Sequence, residues 1–146
     1  MTTTDEDSRS IVLDVTIAPT TLLSALRGHL TTSLQDLDED HRYDILLVVT
    51  ELVTNVLEHT PGTGRLRVLR SKAKCEVTIE VDDTSALPPE HGRSRLGGTR
   101  GIGIVAVNKI AREWGTRPSA DGGKTVFASV RCANDETSAG RCPPTA

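Results

Sequence analysis

Aromatic residues are nearly missing from this chain: one Phe, one Trp and one Tyr in 146 residues. Proteins that hold single-stranded nucleic acid stack its bases on aromatic rings, so no such platform is expected. An excess of positive charge is missing too. Seventeen Lys and Arg stand against 20 Asp and Glu, a net charge of −3, which gives no global attraction to nucleic acid or to an anionic membrane. No apolar run approaches the roughly 20 residues that cross a bilayer. The N-terminus, MTTTDEDSRS, is polar and acidic, whereas a secretory signal opens basic and then turns apolar. Cysteine is sparse as well. Cys75, Cys132 and Cys142 are odd in number and lack metal-ligand spacing, which reads as incidental thiols of a reduced, cytoplasmic chain.

What remains is aliphatic. Apolar residues make up 36% of the chain, so the core is expected from Val, Leu, Ile and Ala. The length fits one domain with a core of its own. Residues 1–10 and 132–146 lack apolar periodicity and are predicted to be mobile tails, which leaves a domain over 11–131. IVLDVTIAP alternates apolar and polar residues, a strand with one buried face. PTTLLSALRGHLTTSL carries Leu22, Leu26 and Leu30 at helical spacing. The next helix can be capped by Asp38 or Asp40. It should run to about His59, stopping before Pro61-Gly62, with an apolar stripe of Ile45, Val48, Val49, Leu52, Val53 and Val56. GRLRVLRS and KCEVTIEVDD read as two strands joined by a short turn. A long Gly-, Pro- and Arg-rich loop follows from Thr84 to Arg100. GIGIVAVNKIAREWG is predicted as a helix ending at Gly115, and WGTRPSADGGKTVFASV as a hairpin turning at Asp121-Gly122-Gly123. The order β-α-α-β-β-α-β-β predicts an α/β fold: a two-layer sandwich with a mixed, mostly antiparallel sheet and helices on one face.

Three features carry chemistry. Glu51 and Asn55 stand one turn apart on the second helix, so both emerge on one face. Asn in a helix interior costs roughly half a kcal/mol relative to Ala. A carboxylate and an amide oxygen side by side suit a magnesium–phosphate centre, because hard cations take oxygen ligands. Taken alone, Glu51, Thr54, Asn55 and Glu58 read better as an exposed polar stripe opposite the core. Asp82-Asp83 closes a strand, where a carboxylate can accept from a ligand amino group or form a solvated acidic turn. The long loop concentrates Arg93, Arg95 and Arg100 and ends Gly97-Gly98-Thr99-Arg100-Gly101-Ile102-Gly103 before a helix. Glycines let backbone approach a ligand, and free N–H groups at a helix start favour phosphate. The loop is neither a P-loop nor a dinucleotide fingerprint.

The order of these features is more specific than any one of them. Glu-x-x-x-Asn on a helix, an Asp after a strand, a Gly-x-Gly helix start, and Gly-Gly-Lys-Thr before the last strand resemble the ATP-binding domain shared by histidine kinases and gyrase. The resemblance covers roughly residues 11–131. ELVTNVLEHT and RGIGIVAVNKIAREWG…GGKTVFASV are its most specific pieces, and they look most like the serine-kinase anti-sigma factors of actinobacteria. It implies ATP and Mg2+ as cofactors. Glu51 would be the base for the attacking hydroxyl and Asn55 the magnesium ligand. Asp83 would bind the adenine amine, with Ser85 and Thr125 supporting it, and Arg100, Gly101 and Gly103 would belong to the phosphate lid. It further implies a sigma factor and an anti-anti-sigma (STAS-type) protein as partners, without direct nucleic-acid or membrane contact, and a homodimer as in relatives. One departure stands out. The family's Asp-x-Gly-x-Gly reads here Asp83-Thr84-Ser85-Ala86-Leu87, without glycine. A nucleotide-binding interaction module without kinase activity is the alternative reading.

Overall fold

The computed structural model describes residues 9–59, 63–71, 74–83, 107–118 and 123–131. The first strand, β1, is Arg9–Ile17. Helix α1, Leu23–Ser33, and helix α2, Glu39–His59, follow it. Strands β2, Gly64–Ser71, and β3, Glu76–Asp83, form a hairpin. After a helical turn at 107–110 the chain ends its described part in β4, Glu113–Pro118, and β5, Lys124–Arg131. The sheet order is β1-β2-β3-β5-β4. Every pairing is antiparallel, stricter than the mixed sheet expected. Because β5 lies antiparallel between them, β3 and β4 run parallel. A connection between parallel strands takes a long segment, and residues 84–112 separate the two in the chain.

Sequence alternation explains the layers. In β3 the residues Val77, Ile79 and Val81 are buried, and they pair with Val130, Ala128 and Val126 of β5. With Leu66 and Val68 of β2 and Leu13 and Ile17 of β1 they make one apolar face. Helix α2 lies on it through Ile45, Val48, Val49, Leu52, Val53 and Val56, each no more than 2% exposed. Burial of one such side chain stabilises by about 1.5–3 kcal/mol. The stripe therefore outweighs the helix cost of Asn55 several times over. Asp38 caps α2: its carboxylate accepts from the Asp40 N–H at 3.2 Å, and Glu39 and Asp40 in the first turn face the positive end of the helix dipole.

Four expectations need correction. Leu22 does not belong to the buried stripe of α1; it precedes the helix and is 67% exposed, while Leu26, Leu30, Leu34 and Leu37 are buried. The helix expected to reach Gly115 stops near Ile110, because the Arg112 N–H donates to Ser129 O at 2.7 Å and starts the β4–β5 pairing. Cys75, read as a free thiol, is disulfide-bonded; its φ of 49° sits at the turn between β2 and β3. Arg9 and Ser10, expected in the N-terminal tail, belong to β1 and pair with Ser71 and Arg70; residues 1–8, the tail 132–146 and the turn at Asp121-Gly122 lie outside the described residues. Among the described residues no helix is long and apolar enough to cross a membrane.

Candidate functional site

Strand pleating sends Asp82 and Asp83 to opposite faces. Asp83 follows Val77, Ile79 and Val81 onto the helix-covered face and is 8% exposed. It is cross-strand partner to Lys124, on the same face as Val126, Ala128 and Val130. The Lys124 Nζ donates to both carboxylate oxygens at 3.0 and 3.1 Å. On the described strands, these two are the charged pair of that face at that end of the sheet. The other pair on the helix side, Arg70 with Asp36, lies at the opposite end of β2.

Asp82 lives in a different medium. Its carboxylate takes a bidentate pair from Arg67, both bonds at 3.0 Å, and accepts from the Thr125 hydroxyl at 2.6 Å. Burial alone would raise its pKa. The bonds from Arg67 and Thr125, with the charges of Arg67 and Arg117, outweigh that and hold it below the ordinary carboxylate range. Arg67 also donates to Glu80 at 3.1 Å, and its own pKa is raised by Asp82 first and Glu80 next. Asp82 is thus already committed to protein partners.

The turn of α2 that carries Asn55 sits over the strand end that carries Asp83. Gly64 shows this. It is cross-strand partner to Asp83, and a methyl placed on it would press into the Asp82 carbonyl and lie 3.4 Å from Val56 Cγ1. Only glycine lets β2, β3 and α2 approach this closely. Glu51 and Asn55 lie on the partly exposed stripe of α2 flanking Val56. A buried carboxylate beneath the helix and a carboxylate–amide pair on the helix are therefore brought to one end of the sandwich.

The structure does not bring Thr125 into this group. Its hydroxyl faces Asp82 on the other side of the sheet. Lys124 stands beside Asp83 in its place. The signal was present in the sequence: Lys124 shares its parity with Val126, Ala128 and Val130, the apolar alternation of β5. Ser85, Arg100, Gly101 and Gly103 lie outside the described residues, as does the loop from Thr84 to Arg100.

The site suits a purine nucleotide in its donor and acceptor chemistry. The Asp83 carboxylate, 8% exposed, sits where water competes little and is of the kind that could accept from a base amine. A divalent cation finds no cluster of three or more acidic, His or Cys ligands among the described residues. Asn55 is the residue that would hold a magnesium ion, which keeps most of its waters and leans on phosphate oxygens with one or two protein ligands.

A family model for the histidine kinase-like ATPase domain matches residues 16–130. Among curated proteins no match is found.

Proposed function

The chain belongs to the histidine kinase-like ATPase domain family, and from that premise we propose that it is an anti-sigma protein kinase. It binds Mg-ATP and transfers the γ-phosphoryl group to a Ser or Thr hydroxyl of an anti-anti-sigma partner. The new phosphate, with a charge of about −1.5 to −2, then changes which partner is held. The observation that carries this reading is the buried Asp83 carboxylate placed beneath the turn of α2 that bears Asn55. Glu51, one turn earlier on the same stripe, takes the proton of the attacking hydroxyl. Phosphoryl transfer needs mainly positioning and charge neutralisation. A rigid helix packed on the sheet by six aliphatic side chains supplies the positioning.

Support for the finer assignment comes from the motif order Glu51, Asn55, Asp83 and Gly-Gly-Lys-Thr, and from Asp82 being satisfied elsewhere. A chain of net charge −3 with three aromatic rings suits control through protein partners better than contact with nucleic acid. The absence of glycine after Asp83 favours a second reading, a nucleotide-binding interaction module without transfer. Two measurements separate these. Saturating Mg-ATP at 100 times its Kd raises stability by about 2.7 kcal/mol under either reading. Transfer of labelled phosphate to an anti-anti-sigma protein occurs only under the first. No rise in Tm at millimolar nucleotide sinks both.

A further inference from the structure

Cys75 is disulfide-bonded, and the chain has two other cysteines, Cys132 and Cys142. Both lie outside the described residues. The β3–β5 ladder discriminates between them. Its last rung is Glu76 opposite Arg131, and Cys75 and Cys132 are the next residues on the two sides. Residues directly opposite in an antiparallel pair have Cα atoms about 4.5–5.5 Å apart. A disulfide takes about 4.4–6.8 Å. One more step of the ladder therefore brings these two cysteines into bonding range. Cys142 lies ten residues further on and would have to be brought back to the same point.

The surroundings make this end of the sheet depend on the bond. The last rung is held by charge across a long gap: Glu76 Oε2 stands 3.6 Å from Arg131 Nε and 3.9 Å from Arg112, beyond the ordinary N–H···O range. Cys75 has a φ of 49°, the left-handed region that favours glycine, so the turn is held against its own preference. Helix α2 rests on the same end, because His41 Nε2 bonds Val130 O at 2.9 Å, one residue before Arg131. Asp83 and Lys124 stand at the opposite end of the ladder.

We propose that a Cys75–Cys132 disulfide is a redox-sensitive clasp on this end of the sheet. Closed, it joins the β2–β3 turn to the residue after β5 and keeps His41 seated on Val130. Open, the Glu76–Arg131 rung and the first turns of α2 lose that support. The reagent that opens it is a dithiol. One thiolate of the dithiol attacks the Cys132 sulfur, because Cys75 is shielded, 6% exposed. The Cys75–Cys132 bond breaks, and Cys75 leaves as a thiolate that takes up a proton. The second thiol of the dithiol then displaces Cys132 from the mixed disulfide. The chain gains two electrons and two protons, and the dithiol becomes a disulfide. The clasp is independent of the nucleotide site.

The test begins with connectivity. The full chain is purified without reductant, alkylated in denaturant and digested with trypsin. Cleavage after Lys74, Arg93, Arg131 and Arg141 puts each cysteine on its own peptide, 75–93, 132–141 and 142–146. Mass spectrometry should find 75–93 linked to 132–141. Linkage of 75–93 to 142–146 or to a second copy of itself, or its recovery in alkylated form, overturns the assignment. Dithiothreitol should then lower Tm by about 5 °C or more, as loss of a disulfide that closes a long loop does. An unchanged Tm overturns the clasp. Reduction should also speed hydrogen exchange at least tenfold more in peptides spanning 39–45 and 126–131 than in one spanning 79–83. Equal acceleration makes the bond a global cross-link and overturns the proposal. Cys132→Ser should start at the reduced Tm and ignore dithiothreitol, whereas Cys142→Ser should respond as wild type does. A Cys132→Ser chain that still responds overturns it too. If Cys132→Ser does not fold, wild type before and after reduction decides alone.

Discussion

The two faces of the sheet carry charge in opposite ways. On the helix-covered face the charge near the α2 overlay is one buried pair, Asp83 with Lys124, among aliphatic neighbours. On the open face charges are many and mutually engaged: Asp14 with Arg65, Arg67 with Glu80 and Asp82, Arg117 with Glu80, Arg112 and Arg131 with Glu76. Thr78 and Ser129 share a hydrogen bond in the same ladder. A charge surrounded by partners has little free energy left to give a ligand. A buried pair at the end of a strand meets any ligand in a low dielectric, which strengthens each contact it makes. Adjacent residues of β3, Asp82 and Asp83, sample both environments.

The largest effect separating the faces should come from the helix above the buried pair. Glu51→Gln keeps shape and helix propensity and removes the carboxylate. Phosphotransfer to the anti-anti-sigma partner should drop by roughly two to four orders of magnitude, the scale of general-base catalysis. Nucleotide affinity should hold, since Asn55 rather than Glu51 is assigned to the metal. A variant that transfers phosphate at the wild-type rate removes Glu51 from the mechanism.

Next comes the direct contrast of neighbours. Asp83→Asn should weaken ATP binding by about 1.5–3 kcal/mol, the worth of a hydrogen bond to a charged group, which is about 10- to 150-fold. Asp82→Asn should leave ATP affinity within about threefold, because that carboxylate points to the other face. Calorimetric Kd values for both variants give the answer. An equal or larger effect at Asp82 would place the base on the open face.

Gly64 is where the faces meet, with β2 tight against the backbone of Asp82 and α2 above. Gly64→Ala should destabilise by about 1–3 kcal/mol, as overpacking does, and shift the urea midpoint accordingly. An unchanged midpoint would mean the strand ends separate easily, and the register that aims Asp83 would lose its anchor.

Much of this arrangement is legible before any coordinates. The α2 stripe is buried at all six positions read from it, and β2 and β3 fall where alternation sets them, because apolar periodicity reports burial directly. Facing is harder. Thr125 follows Lys124 immediately, and a motif read as a string does not say which of two neighbours the pleat sends inward; the alternation of Val126, Ala128 and Val130 does. The C-terminal limit of the helix before β4 was lost for a related reason. Asn108 to Gly115 can be helical by propensity, but the Arg112 N–H to Ser129 bond is a tertiary contact no local pattern encodes. Trp114 then lies in β4, where its Nε1 donates to Asn108 Oδ1 at 2.8 Å. The disulfide at Cys75 was missed because spacing along the chain does not report which cysteines meet in space.

A smaller, pH-dependent effect comes from the other end of α2. His41 is buried, and its Nε2 donates to Val130 O at 2.9 Å while Nδ1 has no hydrogen-bond partner. Burial lowers its pKa, and the bond to Val130 offsets this in part. The folded chain therefore binds this proton less readily than the unfolded one. His41 costs nothing above the unfolded pKa of about 6.5, and stability falls as pH drops from there toward the folded pKa, by up to about 1.4 kcal/mol per pH unit. His41→Gln does not titrate. Urea midpoints of wild type minus variant should be flat above pH 7 and decline as pH falls below about 6.5. A flat difference throughout would show that the ring reaches water.

The smallest effect should lie on the open face, at Arg117. Its guanidinium donates to Glu80 at 2.9 Å and stands 5.3 Å over the Phe127 ring, with the side chain 49% exposed. Each contact is of a kind worth little in water: exposed ion pairs contribute about 0–1 kcal/mol, and exposed cation–π contacts about 0.5–1 kcal/mol. Glu80 also keeps Arg67 when Arg117 is gone, so no buried charge is stranded. Arg117→Ala should therefore cost no more than about 1 kcal/mol in urea unfolding, and less again in 1 M salt, where the screening length falls to about 3 Å. ATP affinity should be unchanged. A cost above about 2 kcal/mol that persists in high salt would mean the open-face ladder acts as a cooperative, poorly solvated network. The contrast between a solvated face and a chemically active one would then fail at its solvated side, and Asp82 would regain standing as a functional carboxylate.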